Sequence, residues 1–193
     1  MVDKVPAPLR LTICGLDELA ACGAADATHM LSILDPGWSE PEALRRFDLH
    51  RRLKLNFHDV IEPGVGWVAP QPWDVGVLLA FGRDLVPPAD AEGVHLLIHC
   101  HAGVSRSTAA AILILAQRDP KRAAPWVVRE VVRLRPRAWP NLRMIELGDA
   151  LLGRDGELVA AVRAHYRTAL AREPGLAEAM IDGGRGREVM AAD

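Results

Sequence analysis

The sequence predicts an α/β fold: a single domain with a central mixed, twisted sheet of about four to five strands flanked by helices. Three observations predict it. Short apolar or alternating runs of strand length dominate the first half of the chain. Runs with helical periodicity dominate the second half. The 193 residues show no internal repeat, no low-complexity block and no convincing boundary for a second core. Residues 1–172 read as the folded unit, and residues 173–193, rich in small and charged side chains, read as a mobile tail.

The elements follow in order. Leu9 to Gly15 alternates and ends on glycine, which predicts a strand. Leu16 to Ala25 reads as a short helix. Thr28 to Leu34 is a second strand, stopped by the turn signal Asp35-Pro36-Gly37. From Arg52 to Val60, Leu53, Leu55 and Phe57 alternate with Lys54, Asn56 and His58, the pattern of a half-buried strand. A loop rich in Gly and Pro follows. Pro72 suits the first turn of a helix that runs through Trp73 to Leu85. His95 to His99 is a short, mostly apolar run, hence a central buried strand. Helices are then predicted over Thr108 to Gln117, Trp126 to Leu134, Leu142 to Leu152 and Glu157 to Arg172.

Composition excludes several classes. The net charge of −2 argues against generic nucleic-acid binding, which needs an excess of positive charge. No apolar run approaches the roughly 18 residues of a membrane span, and Asp17 and Glu18 interrupt the N-terminal apolar stretch before a secretory core forms. The 20 Arg against 3 Lys read as codon bias in an Ala-rich, bacterial-type chain. Cys14, Cys22 and Cys100 are too few and too widely spaced for a disulfide framework, so a cytoplasmic, reducing setting is expected.

The segment His99-Cys100-His101-Ala102-Gly103-Val104-Ser105-Arg106-Ser107 carries the chemistry. It lies between a predicted buried strand and a predicted helix. A loop there aims successive backbone N–H groups into one concavity at the positive end of the helix dipole, which makes an anion site. Gly103 permits the backbone conformation such a turn needs. Arg106 can hold two phosphate oxygens side by side. Cys100 would look into the same cradle, where the N–H dipoles and Arg106 stabilise its thiolate. A thiolate aimed at the phosphorus of a phosphate ester is a nucleophile set for in-line attack.

The segment resembles the signature His-Cys-x-x-Gly-x-x-Arg-Ser/Thr of the cysteine-dependent phosphatases. The form HCHAGVSRS is most similar to the dual-specificity branch of the protein tyrosine phosphatase superfamily. That resemblance implies a tyrosine-phosphatase-like fold and a role for each position. Cys100 would form a cysteinyl-phosphate. The N–H groups of His101, Ala102, Gly103, Val104, Ser105 and Arg106 would hold the phosphate. Arg106 would also stabilise the transition state, Ser107 would help the thiolate leave, and His99 would order the loop. No metal and no cofactor are implied. A second stretch, Arg135-Pro136-Arg137-Ala138-Trp139-Pro140-Asn141, is similar to the Arg-Pro…Pro-Asn stretch after the signature in the same branch. The resemblance covers about residues 9 to 152.

The family also uses an Asp on a loop before the cysteine as general acid. Asp59 precedes the Gly/Pro-rich loop and is favoured, although it lies farther upstream than the common spacing. Asp74, in Pro72-Trp73-Asp74, competes, but an acidic residue there also stabilises a helix start. Trp67 and Trp73 either border a substrate pocket or plug the core edge. Arg133, Arg135 and Arg137 read as a solvated face with one or two packing roles. Cys14 and Cys22 read as small buried thiols. His95, His99 and His101 alternate onto one side of the strand, but the adjoining Gly and Arg favour an anion over a metal.

The leading function is therefore a phosphomonoester hydrolase, acting on phosphotyrosine and/or phosphoserine/threonine in a protein. A small phosphate ester as substrate and a catalytically silent phosphate-binding module are the alternatives. A rhodanese-type sulfurtransferase fits less well, because its loop is typically shorter and lacks an arginine at the position of Arg106. The variable loop positions His101, Ala102, Val104 and Ser105 lack the lysines of phosphoinositide-directed relatives. No nucleic acid or membrane partner is expected, and oligomeric state is left open.

Overall fold

The computed structural model describes residues 7–22, 26–39, 44, 51–173 and 175–192. Four strands form one sheet: β1 (Leu9–Cys14), β2 (His29–Leu34), β3 (Arg51–Asn56) and β4 (Val94–His99), in the order β1-β4-β2-β3. Among the described residues every pairing within the sheet is parallel, where a mixed sheet was expected. Each connection between successive strands is long enough to carry the chain back to the edge where it started, which a parallel pair requires. All six residues of β2 and of β4 are buried, as the apolar run at His95 to His99 predicts for a central strand.

The named helices among the described residues are α1 (Pro72–Arg83), α2 (Arg106–Arg118), α3 (Ala124–Leu134), α4 (Leu142–Leu152), α5 (Glu157–Arg172), α6 (Leu176–Asp182) and α7 (Gly186–Met190). The predicted bounds of α4 and α5 match, because each has a local stop signal. Asn141 caps α4 by accepting from the Met144 N–H at 3.0 Å, and Gly153 closes it in the left-handed conformation. α2 is buried along most of its length and forms the centre of the core with Ile98, Leu78 and Ile145.

Three boundaries differ from expectation. The helix predicted over residues 16–25 is a single 3-10 turn, Leu16–Glu18, followed by turns to Cys22; residues 23–25 lie outside the described residues. Among residues 16–22 only Leu19 is buried, so further helix would gain little packing to offset its ordering cost. The third strand stops at Asn56 rather than Val60. β2 ends at Leu34, whose carbonyl accepts from the Phe57 N–H, and among the described residues no strand continues beyond it to pair with residues 58–60. Residues 58–68 instead close on themselves through His58 and Val68.

The C-terminal segment corrects the third expectation. Residues 175–192 form α6 and α7 and pack against the body instead of standing off it as a tail. Their anchors are mostly polar. Glu188 is fully buried and accepts from Trp139 Nε1 at 2.6 Å and from the Leu142 N–H at 2.9 Å. Hydrophobic patterning is blind to such anchors, and the glycines at 183, 184 and 186 hide them further.

Candidate active site

Strand pairing levels Cys14, Ser32 and His99 at the carboxyl end of the sheet, where ligands bind in parallel α/β folds. Cys100 follows β4 directly, and residues 101–105 turn into α2. The segment therefore has the strand–loop–helix setting predicted for it.

The loop's peptide planes all face one way. The carbonyl of His101 accepts from the Leu16 N–H at 2.9 Å, and that of Val104 from the Trp139 N–H at 2.9 Å. The carbonyls of Ala102 and Gly103 accept from Arg135 Nη2 and Nε at 2.9 and 3.0 Å. The Ser105 carbonyl accepts from the Asn141 and Ala109 N–H groups at 3.3 and 3.0 Å. In a trans peptide the next N–H points opposite the carbonyl. The N–H groups of Ala102 through Arg106 are thus turned away from these partners, and among the described residues none donates to a protein acceptor. Five backbone donors without partners make a cradle for an anion. Gly103 is required at its place: its φ is +70°, and a Cβ would collide with the backbone of Cys14.

Cys100 is buried, and its Sγ lies 3.2 Å from Ser107 Oγ. Arg106 is 3% exposed. Its Nη1 donates to the Phe57 carbonyl at 2.5 Å and to Asp35 Oδ1 at 2.7 Å. Its Nε is buried and has no hydrogen-bond partner among the described residues. Both residues line a cavity of about 840 Å³, together with Asp35, Asp59, Trp67 and Arg185.

Asp59 stands at this cavity and Asp74 does not. Asp59 Oδ1 accepts from Ser105 Oγ at 2.7 Å and from Asn141 Nδ2 at 2.9 Å. Asp74 accepts from the Gln71 N–H at 2.8 Å and caps α1. The two tryptophans separate in the same way: Trp67 borders the cavity, packed edge-on against His58, and Trp73 is 78% exposed at the start of α1.

The three alternating histidines go to separate partners. His95 meets Thr12 and the Asp26 carbonyl, His99 meets Ser32 Oγ at 2.7 Å, and His101 Nε2 accepts from the Asp35 N–H at 3.2 Å. Burial lowers the pKa of all three, that of His99 to about 4. The consequence for stability has a definite sign. Below pH 6.5 the unfolded chain protonates His99 and the folded chain does not, so stability falls as pH drops from about 6.5 toward 4. Between pH 7 and pH 5 we expect His99 to cost on the order of 2 kcal/mol, with His95 and His101 acting in the same direction. Urea denaturation at the two pH values measures this, and a flat profile contradicts it. His99→Gln should reduce the slope.

Sequence reasoning missed several participants. Asp35 pairs with Arg106, and its signal was available: a carboxylate just beyond the carboxyl end of a central parallel strand. Arg135, expected on a solvated face, holds two loop carbonyls and pairs with Glu18. Arg185 and Glu188 gave no signal at all. Cys14 is buried as expected, whereas Cys22 is only half-buried, and burial pushes the Cys14 thiol above the usual range.

The parallel sheet, its flanking helices and the loop between β4 and α2 define the α/β fold of the protein tyrosine phosphatase-like proteins. The chain aligns with a structure of Tk-PTP in its active form (TM-score 0.51, 19% identity, 80% of this chain and 99% of that one). It aligns similarly with DUSP15 (TM-score 0.50, 18% identity, 77% and 85%). In sequence it is 39% identical over 70 residues to the human protein phosphatase Slingshot homolog 3, covering 35% of this chain. The chain spans about a tenth of the length of that curated relative, matching 10% of it. No family model matches.

Proposed function

We propose that this chain is a phosphomonoester hydrolase of the dual-specificity type that works through a cysteinyl-phosphate on Cys100. The observation that carries the reading is the loop itself: five carbonyls held outward, five N–H groups without partners among the described residues, and Arg106, with its Nε unpartnered, lining the same cavity as Cys100. A dianionic phosphate ester supplies the oxygens these donors lack.

The steps follow from the positions. The Cys100 thiolate attacks phosphorus and forms the S–P bond as the P–O bond to the leaving group breaks. Asp59 gives its proton to the departing oxygen. The loop N–H groups and Arg106 hold the equatorial oxygens, where preorganised donors stabilise the transition state most. Water then attacks phosphorus, Asp59 takes its proton, and the S–P bond breaks. Ser107 Oγ, 3.2 Å from the sulfur, donates to the thiolate as it leaves.

The substrates of this reading are proteins bearing phosphotyrosine and/or phosphoserine/threonine. Trp67 and His58 at the cavity supply an apolar, aromatic wall that suits an aryl phosphate. A thiolate nucleophile goes with a reducing, cytoplasmic setting. Among the described residues no helix is long and apolar enough to cross a membrane.

Asp59 is the test of the acid. With an aryl phosphate, Asp59→Asn should lower kcat by about a hundredfold or more and leave KM within about threefold. Asp74→Asn should stay within about threefold of wild type on both constants. A large loss in Asp74→Asn with none in Asp59→Asn contradicts the assignment.

A further inference from the structure

The C-terminal segment brings to the site a side chain that the steps above do not use. Arg185, between α6 and α7, has a side chain only 12% exposed. Glu188 accepts from its Nε and from its Nη2, each at 2.7 Å. Glu188 is in turn fixed by Trp139 and by the Leu142 N–H at the start of α4. The guanidinium is therefore clamped along one edge, and its plane cannot turn.

That clamp leaves Nη1 to face the loop. It donates to Ser105 Oγ at 2.9 Å and lies 3.3 Å from Asp59 Oδ2. The Asp59 carboxyl is thus held from three directions: the loop through Ser105, the cap of α4 through Asn141, and the C-terminal segment through Arg185. The first two both meet Oδ1. Arg185 is the contact to Oδ2 among the described residues. For packing alone, an apolar pair would serve as well as a buried Arg–Glu pair or better, since desolvating two charges is costly.

We propose that Arg185 is a positioning residue for Asp59, and that residues 176–190 thereby complete the active site. The inference rests on the reading of Asp59 as general acid. Oδ1 is held by two donors and Oδ2 by Arg185 Nη1, so the orientation of the carboxyl depends on all three. Arg185 sets where Oδ2 points. Without it the carboxyl keeps its Oδ1 anchors but can rotate about them, and the acid loses its aim at the leaving group. A positional error of about 1 Å is enough to matter for such a transfer.

Leaving-group dependence tests the proposal. Phenyl phosphate needs a proton on its departing oxygen, and 2,4-dinitrophenyl phosphate does not. We expect Arg185→Ala to lower kcat/KM for phenyl phosphate about tenfold while leaving 2,4-dinitrophenyl phosphate within about twofold. In an Asp59→Asn background the same substitution should cost less than about twofold on phenyl phosphate, because the group it positions is gone. Equal losses on both substrates, no loss on either, or an undiminished cost in the Asp59→Asn background would overturn the role. If Arg185→Ala does not fold, as judged by circular dichroism, Arg185→Gln carries the same test. Failure of the phosphatase reading itself looks different: wild type and Cys100→Ser would then hydrolyse 2,4-dinitrophenyl phosphate equally.

Discussion

Cys100→Ser is expected to lower aryl phosphate hydrolysis by at least about four orders of magnitude, the scale on which loss of a nucleophile acts. The fold should survive. A hydroxyl is smaller than a thiol, so the substitution introduces no overlap at the buried position that follows β4. The cradle depends on hydrogen bonds from Arg135, Trp139, Asn141 and Leu16, and the hydrogen bond at the sulfur involves a different residue, Ser107. Phosphate binding should therefore persist while chemistry stops, because a serine hydroxyl stays protonated at neutral pH. The variant should retain substrate with a Kd close to the wild-type KM. Turnover surviving within tenfold of wild type would remove the thiol from the mechanism.

Arg106→Lys should cost about a thousandfold in kcat/KM, although charge is conserved. Arg106 does two jobs at once. Nη1 is spent on Asp35 and on the Phe57 carbonyl, which fixes the plane of the guanidinium, and Nε remains unpaired and buried. A lysine ammonium is a single point on a flexible stem. It can take the Asp35 contact or reach the phosphate, but cannot hold the first while presenting a second donor. Both KM and kcat should worsen, because the phosphate is touched before and during P–O cleavage. Steady-state kinetics on one aryl phosphate, with inorganic phosphate as competitive inhibitor, separates the two. If the inhibition constant for phosphate is unchanged in Arg106→Lys, the arginine does not bind the substrate.

What the sequence made legible was local. The segment from His99 to Ser107 needs only a strand before it and a helix after it, and its hydrophobic pattern supplies both. Gly103 could be assigned its backbone role because a cradle turns sharply at its middle. Asp59 and Asp74 could be ranked from the company they keep, one before a loop and one at a helix start. What stayed hidden was long-range and polar. Arg135 reaches back to Ala102 and Gly103, and Arg185 reaches Asp59 across most of the chain. Neither contact leaves a periodicity, and an exposed arginine and a structural one look alike in a string of letters. The parallel sheet was missed for a related reason: strand direction depends on where the connections run, and alternation within β3 does not encode it.

The central claim is the covalent bond between Cys100 and phosphorus. Rapid acid quench of the protein with an aryl phosphate, followed by mass spectrometry of its peptides, tests it most directly. The account predicts a phosphate adduct on the peptide carrying Cys100, formed in the burst that releases the phenol, and enriched in Asp59→Asn with a good leaving group. An adduct on another residue, or full turnover with no adduct and no burst, would contradict it.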